Sequence, residues 1–318
     1  MLDAELIEKL KARDKRTISK LITKVEASEG EEKELLDKIY KLGGNSYRIG
    51  ITGPPGAGKS TLTNQLTKLL IAQGKTVGII AVDPTSPFTG GALLGDRVRM
   101  TEIGLHENVY IRSMATRGSL GGLSKKAIDA SDVLDAAGYD FIIFETVGVG
   151  QSELDIAKTS DTTVVVLVPE SGDSIQAMKA GLMEIADFFV VNKSDRPGAD
   201  SAVMALKSIL QLNRQTDEDW RIEILQTVAS QNQGVKEVLD EILKHKNYLE
   251  ESGALTERRI RNNKIRVKNI VENELRIEMW NDTRENYLSN EAPKVVERAL
   301  SPFTLAENLI ENYKSENG

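Results

Sequence analysis

A short apolar run, RIGIT (48–52), passes directly into TGPPGAGKSTL (52–62), and an amphipathic stretch follows. No other feature narrows the fold so far. A glycine, four spacers and Gly-Lys-Ser, placed between a strand and a helix, describe a tight turn whose N–H groups converge on an anion at a helix N-terminus. Gly53, Gly56 and Gly58 permit the turn and the close approach of the backbone to a β-phosphate. Pro54, Pro55 and Ala57 complete the loop, Lys59 brings positive charge to the β- and γ-phosphates, and Ser60 offers a hydroxyl to Mg²⁺ with Thr61 behind it in the helix. The bland alternative is a glycine turn without ligand.

The surrounding pattern agrees with an α/β fold. Apolar runs at 48–52, 76–83, 108–114, 139–146, 162–170, 188–192 and 221–227 alternate with amphipathic stretches. This alternation predicts a P-loop NTPase G domain: a mostly parallel sheet covered by helices on both faces, with ligands at the carboxyl ends of the strands. Residues 1–44 read as an N-terminal helical extension, with Ile18, Leu21, Ile22 and Val25 on one face and Leu35, Leu36 and Ile39 on a second helix before Gly43-Gly44. Residues 45–251 form the G domain. From 252 to 318 the strand pattern stops, and a helical arm is expected: a long polar helix over 256–281, then a last helix opened by Ser301-Pro302.

Two further motifs fall at strand ends. FIIFETVGVG places Glu145 at the close of an apolar strand and Gly148 three residues later. An acid there suits the Mg²⁺ shell, and a glycine N–H there suits γ-phosphate sensing; the alternative is an acid that only caps the next helix. FFVVNKSD supplies Asn192, Lys193 and Asp195 in an N-K-x-D arrangement. A carboxylate can accept from both N1–H and the 2-amino group of guanine, a donor pair adenine lacks, so the nucleotide is expected to be GTP or GDP. In TVAS (227–230), Val228 and Ala229 are placed to back the base with their main chain.

Composition removes several classes. The net charge is −7, so attraction to nucleic acid or anionic membrane is not expected. The basic run at 256–269 is followed by Glu272, Glu274 and Glu278 and reads as a solvated helix face. With no cysteine and two histidines, His106 and His245, the 318-residue chain has neither disulfides nor Cys-based zinc sites. The N-terminal stretch mixes acids and bases without an apolar core, and no run approaches the ~20 apolar residues of a membrane span; a cytoplasmic location is expected.

VDPTSPFTGGALLGDRVRM (82–100), SMATRGSLGG (113–122), ETVGVGQSE (145–153) and PESGDSIQAMKAG (169–181), taken with the phosphate loop, closely resemble the MeaB/ArgK family, GTPases related to the methylmalonic aciduria type A protein. The resemblance implies a G-protein chaperone of an adenosylcobalamin-dependent acyl-CoA mutase, usually methylmalonyl-CoA mutase, that gates cofactor loading and protects or rescues the mutase. It implies a homodimer joined through the C-terminal arm. It also implies that Asp83 and Asp96 are first-switch acids near Mg²⁺, that Glu145 is the second-switch acid, and that 170–180 is a third switch with Lys179 sensing the nucleotide. Catalytic roles are thus expected for Lys59, Asp96, Glu145 and Lys179, and metal roles for Ser60, Asp83, Asp96 and Glu145. Two competing classes are a GTPase metallochaperone, which needs Cys or His clusters, and a transport-linked protein kinase, which needs an acceptor pocket and a base; the sequence has a motif for neither.

Overall fold

The computed structural model describes residues 3–27, 33–84, 101–116, 125–146, 152–171, 181–212 and 220–317. Among them, seven strands form one sheet: β1 (Tyr47–Thr52), β2 (Val77–Pro84), β3 (Val109–Thr116), β4 (Phe141–Thr146), β5 (Thr162–Leu167), β6 (Phe188–Asn192) and β7 (Ile224–Thr227). All pairings are parallel, in the order β3-β2-β4-β1-β5-β6-β7. The strands are apolar on both faces, as a sheet buried on both sides demands. Val164, Val166, Phe188 and Val190 point into one core, while Val165, Leu167, Phe189 and Val191 point into another. β5 ends at Leu167 rather than running to 170, because Pro169 has no N–H for a ladder and instead opens a 3₁₀ turn, Pro169–Ser171.

The helices, in chain order, begin with α1 (Ala4–Lys11), α2 (Lys15–Ala27), α3 (Lys33–Leu42), α4 (Lys59–Ala72) and α5 (Thr101–Gly104). They continue with α6 (Lys125–Ala136), α7 (Ser152–Ala157), α8 (Leu182–Ile185), α9 (Ala199–Leu212) and α10 (Val235–Glu251). Helices α1 to α3 share one core with α6 and the outer half of the sheet: Leu10, Ile18, Ile22 and Ile39 pack with Ile80, Leu134 and Phe144. On the other face, Leu62, Leu66 and Leu70 of α4 and Val238 and Ile242 of α10 cover Ile49, Ile143 and Val166.

The edge of the sheet away from the strands' carboxyl ends carries a polar cluster. Asp187, just before β6, accepts two hydrogen bonds from the Arg258 guanidinium (2.7 and 2.8 Å) and one from the Thr163 amide (2.7 Å). Arg258 also donates to the Asp161 carbonyl at 2.6 Å. His245 of α10 is fully buried there, its Nδ1 2.8 Å from Thr162 Oγ1 and its Nε2 3.4 Å from Asp187 Oδ1.

The chain divides into two compact units, Met1–Arg258 and Arg259–Gly318, with the boundary inside α11 (Ala254–Met279). The second unit also contains α12 (Asp282–Val296) and α13 (Pro302–Asn317). α12 lies in a stretch for which the sequence suggested no element; Asn281 caps it, its side chain accepting from the Arg284 amide at 2.9 Å. The expected Ser301-Pro302 start of α13 is present, with Ser301 Oγ accepting from Thr304 N at 3.0 Å. Buried Arg284 donates to the carbonyls of Glu278 and Met279, closing the end of α11, and pairs with Glu316.

Candidate nucleotide site

The phosphate loop is shaped by contacts that exclude any side chain at two of its glycines. Gly53 has φ +133°, and a Cβ there would lie 2.0 Å from the Val166 carbonyl oxygen. Gly58 has φ +88°, and its Cβ would lie 2.3 Å from Asn192 Nδ2. Lys59 is buried, with its ammonium folded onto the carbonyls of Gly53 (2.7 Å) and Pro54 (2.8 Å). It therefore already lies along the loop whose phosphate ligand it is expected to meet.

β1 and β4 are neighbours, with Ile51 opposite Glu145, so the strand that leads into the loop lies beside the one that ends in the acid. Glu145 is buried, and its Oε1 accepts a hydrogen bond from Ser60 Oγ. One step further along, Thr52 and Thr146 join the two strand ends through their hydroxyls at 3.0 Å. The two oxygen groups that the sequence leads one to expect around Mg²⁺, Ser60 and Glu145, thus converge in the described part of the site, and a hard cation prefers oxygen ligands.

The third motif is tied to the loop. Asn192 spends both ends of its amide on protein: Nδ2 donates to the Ala57 carbonyl (2.8 Å), and Oδ1 accepts from Thr227 Oγ1 and the Ala229 amide (both 3.0 Å). Lys193 adopts φ +58° and reaches back to the Gly56 carbonyl at 2.7 Å. Ser194 donates from N and Oγ to the Thr227 carbonyl, both at 3.0 Å. Asp195 follows, exposed, while Val228 and Ala229 are buried in the turn that follows β7. Thr227, Ser194, Thr52 and Thr146 were not singled out from the sequence; a threonine closing a strand has no motif to mark it.

The structure brings together the phosphate loop, Glu145, Asn192, Lys193 and the 227–229 turn. Asp96, Gly148 and Lys179 lie outside the described residues, and of Asp83 only the backbone, at the end of β2 opposite Ala115, is described. Among the described residues no group of three or more His, Cys, Asp or Glu is placed to hold a metal ion. No described helix is long and apolar enough to cross a membrane.

A parallel sheet whose first strand feeds a phosphate loop, and whose later N-K-x-D strand end is cross-tied to that loop, is the organisation of a P-loop GTPase, an enzyme that cleaves GTP to GDP and phosphate. The family can be stated as well: the chain belongs to the MeaB family, whose model, described as methylmalonyl Co-A mutase-associated GTPase MeaB, matches residues 18–284. A relative from Pyrococcus horikoshii, named at the level of GTPase alone, is 50% identical over 311 residues, covering 96% of this chain and 97% of its own. GTPase ArgK of Escherichia coli is 35% identical over 316 residues, covering 97% and 96%. A solved structure described as LAO/AO transport system kinase superposes with a TM-score of 0.73 at 30% identity, covering 98% of this chain and 97% of its own.

Proposed function

We propose that this GTPase serves as a timing device for an adenosylcobalamin-dependent acyl-CoA mutase, with methylmalonyl-CoA mutase the first client to test. The observation that carries the proposal is the match, over 18–284, to a family described by its association with that mutase. In this reading the Gly53–Thr61 loop cradles the phosphates of GTP, and the Lys59 ammonium leaves the Gly53 and Pro54 carbonyls to meet them. Mg²⁺, held by Ser60 and by Glu145 directly or through water, supplies positive charge to the phosphate oxygens when bound. Asp195 accepts from the guanine edge, and Val228 and Ala229 back the base. Asp83, Asp96 and Lys179 complete the switch set by motif, and Gly148 senses the γ-phosphate. Val149 stands after Gly148 where fast-switching G proteins place a water-orienting glutamine, so hydrolysis is slow until the client orders the switches. Two copies associate through apolar positions of the helices beyond Arg258.

The test is GTP turnover by the purified protein, alone and with a cobalamin mutase from the same source. Slow turnover with strong stimulation by the mutase is expected. Turnover already fast alone and unaffected by the mutase would remove the client while leaving the GTPase. Radiolabel on a protein instead of in free phosphate would turn the reading towards the kinase suggested by the name of the solved relative.

A further inference from the structure

The N-K-S-D loop is held on two sides, by the phosphate loop and by the 227–229 turn. It is also held on a third side. Arg196, the residue after Asp195, donates from Nη1 to Glu170 Oε1 at 2.7 Å. Glu170 belongs to the Pro169–Ser171 turn that follows β5. Arg196 N closes a turn on the Lys193 carbonyl at 3.0 Å, so the guanidinium and Lys193 leave the loop from one tight bend with Asp195 inside it. Two residues on, Gly198 has φ +90°, and its missing Cβ would stand 4.0 Å from Pro169 Cβ, which leaves the buried proline seated against the start of α9. The Glu170 carboxyl is held below its ordinary range first by the Arg196 hydrogen bond, with attraction to Arg196 and Lys193 adding to it.

We propose that the Glu170–Arg196 pair is a latch that fixes the bend carrying Asp195 to the turn after β5, making the residence time of the guanine nucleotide depend on the position of Pro169–Ser171. The inference rests on the reading of Asp195 as the guanine acceptor. Both side chains are about half exposed, 48% for Arg196 and 54% for Glu170. An exposed pair gains little over hydration and is screened by salt. It is therefore a contact that opens and closes, not a strut on which the fold depends. By linkage, whatever displaces the turn loosens the nucleotide, and nucleotide binding in return favours the latched turn by the same factor. Arg196 acts here as a positioning residue, through Asp195.

The experiment is stopped-flow release of a fluorescent GDP from the full chain at low salt, for wild type, R196A, E170A, the double variant R196A/E170A and the charge reversal E170R/R196E. Each single change should speed release by about threefold, the size of effect an exposed pair supports. The double variant should be no faster than either single one, since both remove one contact. The charge reversal should return release to near the wild-type rate, which loss of local structure would not allow. At about 0.5 M salt the variants should converge on wild type. Single variants that release like wild type at low salt, or single effects that multiply in the double variant, overturn the latch. A wild-type protein that does not prefer GDP to ADP overturns the guanine reading and the latch with it; preserved preference with unchanged variants overturns the latch alone.

Discussion

At the scale of single residues, the site is a set of positions where one atom more would be too many. An alanine at Gly58 would have to keep φ +88° and place its Cβ 2.3 Å from Asn192 Nδ2. The left-handed conformation alone costs about 1–2 kcal/mol, and the clash falls on the amide that joins Ala57 to Thr227 and Ala229. Gly58→Ala is therefore expected to weaken GDP binding at least tenfold, while circular dichroism still shows the wild-type fold. Asp195 allows a sharper test. A carboxylate matches the two donors of guanine, whereas an amide can donate to the 2-oxo group of xanthine. Asp195→Asn should lose GDP affinity by two orders of magnitude or more and gain affinity for XDP, as titration calorimetry would read. An unchanged preference would remove Asp195 from the base site. These residues were legible in the sequence because phosphate and base recognition fix both residue type and spacing. What Asn192 does was not: the motif names it, but its partners lie in two distant segments, Ala57 in the phosphate loop and Thr227 and Ala229 at the end of β7, that only the sheet brings together.

At the scale of elements, strand positions were legible to within a few residues, because runs buried on both faces stand out against amphipathic helices. The misses have local causes, such as the proline at 169 that ends β5 early. The opposite edge of the sheet was not legible. His245 has no ligand-like neighbours in the sequence and reads as a surface or packing residue; in the fold it is sealed between Thr162, Asp187 and the ring of Trp220, whose centroid is 4.6 Å away. Burial depresses its pKa to about 4, opposed by Asp187 and Asp161 and assisted by Arg258. The ring is therefore neutral in the native state at pH 7, and between pH 6.5 and about 4 the unfolded chain binds a proton that the native chain refuses. Its contribution to stability is complete above pH 6.5 and declines as the pH falls, by up to ~1.4 kcal/mol per pH unit and roughly 3 kcal/mol in all. Urea midpoints measured at pH 7.5 and pH 5 should differ less for His245→Gln than for wild type. Equal differences would show that the imidazole does not titrate in this window. Removing the neighbouring anion is a separate matter: Asp187→Ala leaves Arg258 charged and without its carboxylate, and is expected to destabilise by about 3–5 kcal/mol at neutral pH.

At the scale of the whole molecule, the two units differ in how they use their apolar residues. In Met1–Arg258, the sheet and its helices bury theirs in three clusters. In the second unit, burial reaches Leu305 and Leu309 of α13, but α11 has no buried residue along its 26 positions. Ile260, Val267, Val271 and Leu275 recur on it at helical spacing and are each about half exposed. An apolar stripe on an otherwise polar helix is the kind of surface that another part of the protein or a partner covers. Ile260, Val267 and Val271 were legible in the sequence as part of a sparse apolar set with Ile270 and Trp280, while Leu275 was not; periodicity alone fits either a cover from the same chain or one from a second chain. If it is a second copy, placing charge in the stripe should separate assembly from nucleotide chemistry. Val267→Asp with Val271→Asp in the full chain is expected to convert a sedimenting dimer to a monomer at micromolar concentration. Because exposed positions seldom shift stability by more than ~0.5 kcal/mol, GDP affinity should stay within about twofold of wild type. A variant that remains dimeric would place the self-association elsewhere. A wild-type chain that sediments as a monomer would leave the stripe to the client mutase, and the same two substitutions should then abolish stimulation of GTP turnover while leaving the unstimulated rate intact.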